Sequence, residues 1–271
     1  MSTELAWTSS ACSHIGKVRK INEDAYLDKP HAGLWVVADG MGGHAAGDQA
    51  SRSIVAALGG VSPAPTLGVF VDRVCDCLQR VNQELIAIGA EKHRITGSTV
   101  VALLALGPGC AILWAGDSRA YLFRDGALKQ LTADHSQIDL YVKMGLIGRD
   151  QAANHPLSNV VTRAVGIHEA LLLDRDTIEA RAGDRFLLCS DGLYRHVPHE
   201  EIASLLSTGS ASSAAQTLLD LTLDRGALDN VTVVLIDVSD ARRAEDSASH
   251  LDDTQPRLRM SEGAGKASRE F

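Results

Sequence analysis

The chain of 271 residues carries 34 acidic and 26 basic side chains, which gives a formal net charge of −8. This acidic balance, without a basic block interleaved with aromatic residues, argues against a nucleic-acid partner. Five cysteines, an odd number without a CxxC pair, argue against a disulfide framework or a structural zinc site. Because no apolar run could span a bilayer and the first residues do not resemble a signal peptide, we expect a cytoplasmic protein without a membrane partner.

The first half of the chain predicts strands on either side of two helices. Apolar runs predict strands at residues 5–11, 25–27 and 34–38, and again at 98–106, 110–115 and 119–123. Helices are predicted at 45–58 and from a Thr66 cap to about Lys92, where apolar residues recur at helical spacing. Asp125-Gly126 is typical of a hairpin turn after the last of these strands.

The second half begins with a segment of different character. Residues 132–166 contain histidines and a short helical pattern at 137–144 but lack a long apolar run, which indicates a flap outside the sheet. The elements predicted after it are strands at 171–178, 185–189 and 231–238 and helices at 198–206 and 211–225. We expect one domain over 1–239 and a disordered tail over 240–271, because the tail's polar composition cannot offset the entropy of ordering it.

The order of the predicted elements favours an α+β fold. Strands come first and last, helix pairs stand between them, and hairpin-type connections replace a regular strand–helix alternation. This pattern predicts layered, mostly antiparallel sheets rather than a doubly wound parallel sheet.

Four aspartates stand at the ends of predicted strands: Asp39, Asp117, Asp191 and Asp229. A buried carboxylate needs a partner, and a hard cation is one of the few that suits it. Although a single such aspartate is most often a turn residue, four of them predict one site assembled from distant parts of the chain. Carboxylates without accompanying thiolates favour Mg²⁺ or Mn²⁺, and Arg19 is a candidate bidentate partner for a phosphate.

Seven short motifs follow one another from about residue 10 to 238. They are Arg19-x-x-Asn22-Glu23-Asp24, Asp39-Gly40-Met41-Gly42-Gly43-His44, Thr96-Gly97-Ser98-Thr99, Ala115-Gly116-Asp117-Ser118-Arg119, Leu131-Thr132-x-Asp134-His135-Ser136, Cys189-Ser190-Asp191-Gly192-Leu193 and Asp229-Asn230-Val231-Thr232. In this order they resemble the metal-dependent protein serine/threonine phosphatases of type 2C, in their bacterial branch. The resemblance implies a central antiparallel β-sandwich flanked by helix pairs in four layers, α-β-β-α. It also implies that a flap at about residues 134–165 lies beside the active-site cleft and influences substrate choice.

The resemblance also implies a role for each site residue. Asp39 matches the carboxylate that bridges two ions, and Gly40 matches a backbone-carbonyl ligand. The remaining correspondences are Asp191 and Asp229 at the first ion, Glu23 and Asp24 near the second, Asp117 with Asp191 at a weaker third, and Arg19 on the substrate phosphate. Met41 stands where animal members have the proposed general acid, so His44 is the candidate proton donor here.

The implied activity is Mn²⁺- or Mg²⁺-dependent hydrolysis of phosphoserine and phosphothreonine in proteins by a metal-bridging water. The implied partners are phosphorylated proteins, including a bacterial serine/threonine kinase and its targets, and we expect a monomer. Two alternatives stay open: a non-catalytic regulator that binds phosphoproteins, and a metallophosphoesterase that acts on nucleotides or small phosphate esters. Intact acids at Asp39, Asp191 and Asp229 argue against the first alternative.

Overall fold

The computed structural model describes residues 4–42, 45–62, 64–148, 151, 155, 157 and 160–241. The strands within this part of the chain are β1 (Leu5–His14), β2 (Asp24–Lys29), β3 (Leu34–Met41), β4 (Gly97–Ser98), β5 (Val100–Leu106), β6 (Gly109–Ala115), β7 (Arg119–Arg124), β8 (Ala127–Gln130), β9 (Asp174–Glu179), β10 (Arg185–Cys189) and β11 (Val231–Asp240). The α-helices are α1 (Ala45–Gly59), α2 (Leu67–Glu91), α3 (Gln137–Lys143), α4 (Asp191–Tyr194), α5 (His199–Leu206) and α6 (Ala211–Asp224).

The strands form two antiparallel sheets that pack face to face. One sheet has the order β1-β11-β10-β7-β8; the other has the order β2-β3-β5-β6-β9, with β4 paired to the end of β3. The apolar layer between the sheets includes Trp35, Leu103, Ile112, Phe186 and Ile236, all of them buried. These pairings confirm the predicted α+β sandwich of antiparallel sheets.

The helix pairs cover the outer faces of the sandwich and complete the four layers. Helices α1 and α2 pack on the sheet that contains β3, and helices α5 and α6 pack on the sheet that contains β10. Helix α2 begins where predicted, since the Thr66 side chain accepts a hydrogen bond from the Val69 backbone N–H at 3.3 Å. Its buried face includes Phe70, Val74 and Leu78, and each such side chain contributes roughly 1.5–3 kcal/mol through burial.

Two local predictions need correction. The strand expected at residues 171–178 begins only at Asp174, because Leu171 and Leu173 pack against the helix-side core instead of entering the sheet. The short helix α4 was not predicted, since Asp191-Gly192 reads as a turn in sequence. A Cβ on Gly192 would collide with the Asn230 carbonyl oxygen, so this glycine is required for close packing and not for a turn.

The hairpin and the described part of the flap agree with the sequence analysis. Asp125 and Gly126 both adopt positive φ, 53° and 79°, as a two-residue hairpin turn requires. The short flap helix is α3, and its Ser136 cap accepts a hydrogen bond from the Asp139 N–H at 3.1 Å. The domain limits remain a prediction, and the expected tail lies outside the described residues apart from its first two positions.

No helix in the described ranges is both long enough and apolar enough to cross a membrane.

Candidate metal and phosphate site

Strand pairing brings the predicted acids to one edge of the sandwich. In the sheet that contains β3, Asp24 at the start of β2 pairs directly with Asp39 near the end of β3. In the sheet that contains β10, this strand ends just before Asp191, and β11 begins just after Asp229 and Asn230. Because β10 and β11 are antiparallel, the end of one lies beside the start of the other.

The backbone around Asp39 is held by the neighbouring strand. Its N–H donates to the Thr99 Oγ1 at 3.1 Å, and its carbonyl oxygen accepts from the Thr99 N–H at 2.8 Å and the Ser98 hydroxyl at 2.9 Å. The next residue, Gly40, lies so close to the Gly47 carbonyl in α1 that a Cβ would collide with it. Glycine therefore lets the strand end and the helix approach each other closely.

Three polar side chains organise the acids: Ser190, Thr232 and Asn230. The sequence analysis assigned them no role. The Asp24 Oδ2 accepts hydrogen bonds from the Ser190 hydroxyl at 2.7 Å and the Thr232 hydroxyl at 2.8 Å, which link the two sheets. Asn230 accepts from the Glu23 N–H at 2.8 Å and donates to the Ile21 carbonyl at 3.0 Å. Their presence inside the quoted motifs was the signal in the sequence, but it did not indicate these contacts.

Mutual repulsion and burial shape the ionisation of this acid cluster, defined as Glu23, Asp24, Asp39, Asp117, Asp191 and Asp229. Burial, followed by the charges of Asp24, Asp191, Asp117 and Asp229, raises the pKa of Asp39 well above its usual range. The other four aspartates therefore all lie within electrostatic reach of Asp39.

The same causes act on the neighbouring carboxyls. Burial raises the pKa of Asp24 to about 7 against the opposing effect of its two hydroxyl donors. Burial and the charge of Asp191 raise the pKa of Asp117 to about 7. A cation that binds here would relieve both causes, because it supplies the opposite charge that the buried carboxylates need.

Two arginines compensate part of this charge. The Arg19 Nη2 lies 2.6 Å from the Asp229 Oδ2, while the Arg195 Nε lies 2.8 Å from the Asp191 Oδ2. Arg195 also reaches Asp117, with 3.8 Å between its Nη2 and the Asp117 Oδ2. Within the part of the chain that the structure describes, no three Asp, Glu, His or Cys side chains already converge on a common point as metal ligands.

The donor set nevertheless fits hard divalent cations. Among the described residues, six carboxylates share the two arginines just named, which leaves the acid cluster with an excess of negative charge when it is ionised. The Glu23 Oε1 and the Asp24 Oδ1 are buried and have no hydrogen-bond partner within this part of the chain. Unpaired buried carboxylate oxygens are costly, and coordination of Mn²⁺ or Mg²⁺ would satisfy them.

The structure thus brings together Arg19, Glu23, Asp24, Asp39, Gly40, Asp117, Asp191 and Asp229. Their individual ligand roles remain predictions. His44, the candidate proton donor, lies outside the described residues. Met41 is the last residue of β3.

Other motif residues have structural roles, among them Arg119 and His135. Arg119 forms a bidentate pair with Asp134, with contacts of 3.0 and 2.7 Å, and its guanidinium lies 3.5 Å from the centre of the Tyr194 ring. The His135 Nδ1 accepts a hydrogen bond from the Gly116 N–H at 3.2 Å. These contacts fasten the start of the flap to the strand ends that carry the acid cluster.

Comparison with known proteins agrees with the family resemblance of the seven sequence motifs. Residues 13–222 match the family described as Protein phosphatase 2C. The serine/threonine protein phosphatase PstP of Mycobacterium tuberculosis is 39% identical over 236 residues, which are 85% of this chain and 45% of that protein. The chain therefore spans about half the length of this curated relative.

Two solved structures share the fold at substantial identity. PppA, described as a key regulatory component of T6SS in Pseudomonas aeruginosa, is 42% identical with a TM-score of 0.81, covering 86% of this chain and 98% of that one. The catalytic domain of PstP in complex with two manganese ions is 36% identical with a TM-score of 0.78, covering 87% of this chain and all (100%) of that one. The chain belongs to the protein phosphatase 2C family of serine/threonine protein phosphatases.

Proposed function

We propose that this chain hydrolyses phosphoserine and phosphothreonine in proteins with two Mn²⁺ or Mg²⁺ ions. The observation that carries the proposal is the acid cluster with Arg19 at its edge: buried carboxylates in excess, two of whose oxygens have no partner among the described residues. Family membership and the two manganese ions of the PstP structure support it.

The acid cluster would hold the two ions. Asp39, which pairs with Asp24 and interacts electrostatically with Asp117, Asp191 and Asp229, is proposed to bridge the two ions. The Gly40 carbonyl, Asp191 and Asp229 would complete the first position. Glu23 and Asp24 are proposed to face the second position. When bound, the ions would supply an activated water and positive charge for the phosphate.

Arg19 is proposed to bind the substrate phosphate. Its side chain is 51% exposed, and it contacts the acid cluster through the Asp229 pair at 2.6 Å. An exposed pair of this kind is weak, so the guanidinium can exchange the carboxylate for a phosphate at little cost. A planar guanidinium matches two phosphate oxygens at once, which orients the phosphorus for in-line attack.

His44 is proposed to donate the proton to the leaving alkoxide, directly or through water. Its removal should slow a poor alkyl leaving group much more than a good aryl leaving group, because only the poor one needs the proton. The comparison of His44→Ala on phosphothreonine peptide and on an aryl phosphate tests this role. Equal losses on the two substrates would argue against His44.

We further propose that the substrates belong to a bacterial serine/threonine kinase system and that the protein acts as a cytoplasmic monomer. No phosphoenzyme is expected, because the sequence lacks the Asp-x-Asp-x-Thr nucleophile motif. Cys189 and Arg195 do have the Cys-x5-Arg spacing, but the Cys189 thiol is fully buried and burial raises its pKa to about 12, so it is not an available nucleophile.

One assay separates the proposal from its two alternatives. Wild type and Asp39→Asn are compared with and without Mn²⁺ on phosphothreonine peptide, phosphotyrosine peptide and an aryl phosphate. The proposal expects Mn²⁺-dependent hydrolysis of the phosphothreonine peptide that the Asp39→Asn variant lacks. Absence of hydrolysis by wild type would favour the non-catalytic regulator, and hydrolysis of the aryl phosphate alone would favour a small-ester hydrolase.

A further inference from the structure

Arg195 is a cation at the acid cluster that the proposed mechanism does not use. It follows the short helix α4 and stands four residues after Asp191. Its Nε lies 2.8 Å from the Asp191 Oδ2, and its Nη2 lies 3.8 Å from the Asp117 Oδ2. One guanidinium therefore contacts two acids from distant parts of the chain, Asp117 in the β6–β7 connection and Asp191 at the start of α4.

Burial strengthens these contacts. The side chains of Asp117 and Asp191 are 5% and 13% exposed, and that of Arg195 is 27% exposed. Charges at such low exposure are screened by salt much less than surface charges. Between two carboxylates, a guanidinium supplies the positive charge that a bound ion would otherwise supply.

The surroundings of Arg195 hold its backbone in place. The hydroxyl of the preceding residue, Tyr194, donates to the Asp117 carbonyl oxygen at 3.0 Å. The Arg119 guanidinium lies against the Tyr194 ring and is itself paired with Asp134 at 2.7 Å. Tyr194 is thus held both through its hydroxyl group and through its ring, and this position directs the side chain of the next residue, Arg195, to the two acids.

We propose that Arg195 is a resident cation that keeps a divalent ion out of the position between Asp117 and Asp191. The guanidinium faces the Oδ2 atoms of Asp117 and Asp191, so an ion that binds between these carboxylates has to displace it or overcome its positive charge. The chain would then work with two ions and without the weaker third one that its family resemblance implies. This inference rests on the proposed function, because the excluded ion is the metal of that site.

The test counts bound Mn²⁺ by equilibrium titration, using the electron paramagnetic resonance signal of free Mn²⁺. Wild type is expected to bind two ions. Arg195→Gln is expected to bind a third ion, either one that wild type does not bind or one that wild type binds about tenfold or more weakly. The reason is that neutral Gln neither repels the ion nor forms an ion pair with the acids. Arg195→Lys retains the charge and should stay closer to wild type.

Arg225→Gln is the matched control. Arg225 pairs with Glu201 at 2.7 Å and donates to the His196 carbonyl at 2.9 Å, and neither partner belongs to the acid cluster. Its loss should leave the number and affinity of bound Mn²⁺ unchanged. If Arg195→Gln also leaves both unchanged, Arg195 is only structural and the proposal is overturned.

A second variant decides the question even if Arg195→Gln fails to fold. Asp117→Asn in the presence of Arg195 should still bind two ions, since Asp117 is already occupied by the guanidinium. Loss of one ion relative to wild type would show that Asp117 holds a metal beside Arg195 and would overturn the proposal. A wild type that binds no Mn²⁺ would instead refute the proposed function, and the inference would fall with it.

Discussion

Strand β10 has aspartates at or near both ends, and the two ends differ in how far arginines neutralise the aspartates' charge. At its start, Asp184 receives two contacts from Arg124, at 2.7 and 2.6 Å, and Arg185 makes two contacts with Asp237, at 2.6 and 3.1 Å. At its end, Asp191 belongs to the acid cluster, whose six carboxylates share two arginines among the described residues.

This difference distinguishes an ion pair that only stabilises the fold from a group of carboxylates that can bind a cation. A carboxylate with its own bidentate arginine has its charge and its oxygens satisfied, so it stabilises the fold and has no further use for a cation. Crowded carboxylates without enough partners reduce stability in the absence of metal, and they gain from any cation that enters. Four predicted outcomes test whether the two ends of β10 differ in this way.

Asp39→Asn should have the largest effect. We expect its Mn²⁺-dependent activity on a phosphothreonine peptide to fall roughly 10³-fold or more, because the proposed bridge between the ions is lost. Its melting temperature in EDTA should stay equal or rise, since one repelling charge is removed. Asp237→Asn removes the carboxylate that pairs with Arg185 at the start of β10, and it should show the reverse pattern: lower stability and unchanged activity per folded molecule. A similar activity loss in both variants would contradict the comparison.

Arg19→Lys should reduce kcat/KM by about 10- to 100-fold, because an ammonium cannot contact two phosphate oxygens in the fixed geometry of a guanidinium. Since Arg19 is 51% exposed, its replacement should leave the denaturant midpoint unchanged. Steady-state kinetics and urea unfolding check the two expectations. Unchanged kinetics would remove Arg19 from the phosphate site.

Arg124→Met should affect stability alone. It deprives Asp184, which is 3% exposed, of its guanidinium partner, while the Arg181 N–H still donates to the carboxylate at 2.7 Å. We expect a loss of about 2–4 kcal/mol in the free energy of unfolding, measured by urea titration. The number of bound Mn²⁺ ions should match wild type, and a change in that number would contradict the separation of the two ends.

The smallest expected effect is on the pH dependence of metal-free stability. The pKa values of Asp24 and Asp117 are raised to about 7, so the folded state binds protons below pH 7 that the unfolded state binds only near pH 4. Stability in EDTA should therefore increase as the pH falls from 8 to 5.5. Melting curves at the two pH values measure this increase, and the Asp24→Asn, Asp117→Asn double variant should lose part of it, since Asp39 and Asp191, whose pKa values are also raised, remain.

Much of the architecture was predictable because it depends on local patterns. Apolar periodicity located the long helix α2 and the sheet strands, and Thr66 and Asp125-Gly126 gave the cap and the hairpin turn. The register of β2 against β3, which pairs Asp24 with Asp39, was not predictable, since it depends on how the sheet packs against α1 and the opposite sheet.

The sequence by itself determined the chemical type of the site: acids at strand ends, a glycine at Gly40 and an arginine at Arg19, in the motif order of one family. Only the tertiary structure decided the charge balance among these groups. It brought Ser190 and Thr232 onto Asp24, and it placed Arg195 beside two acids that are far apart in the sequence, Asp117 and Asp191. The physical reason is distance, because electrostatic pairing depends on separation in space, which spacing along the chain does not specify.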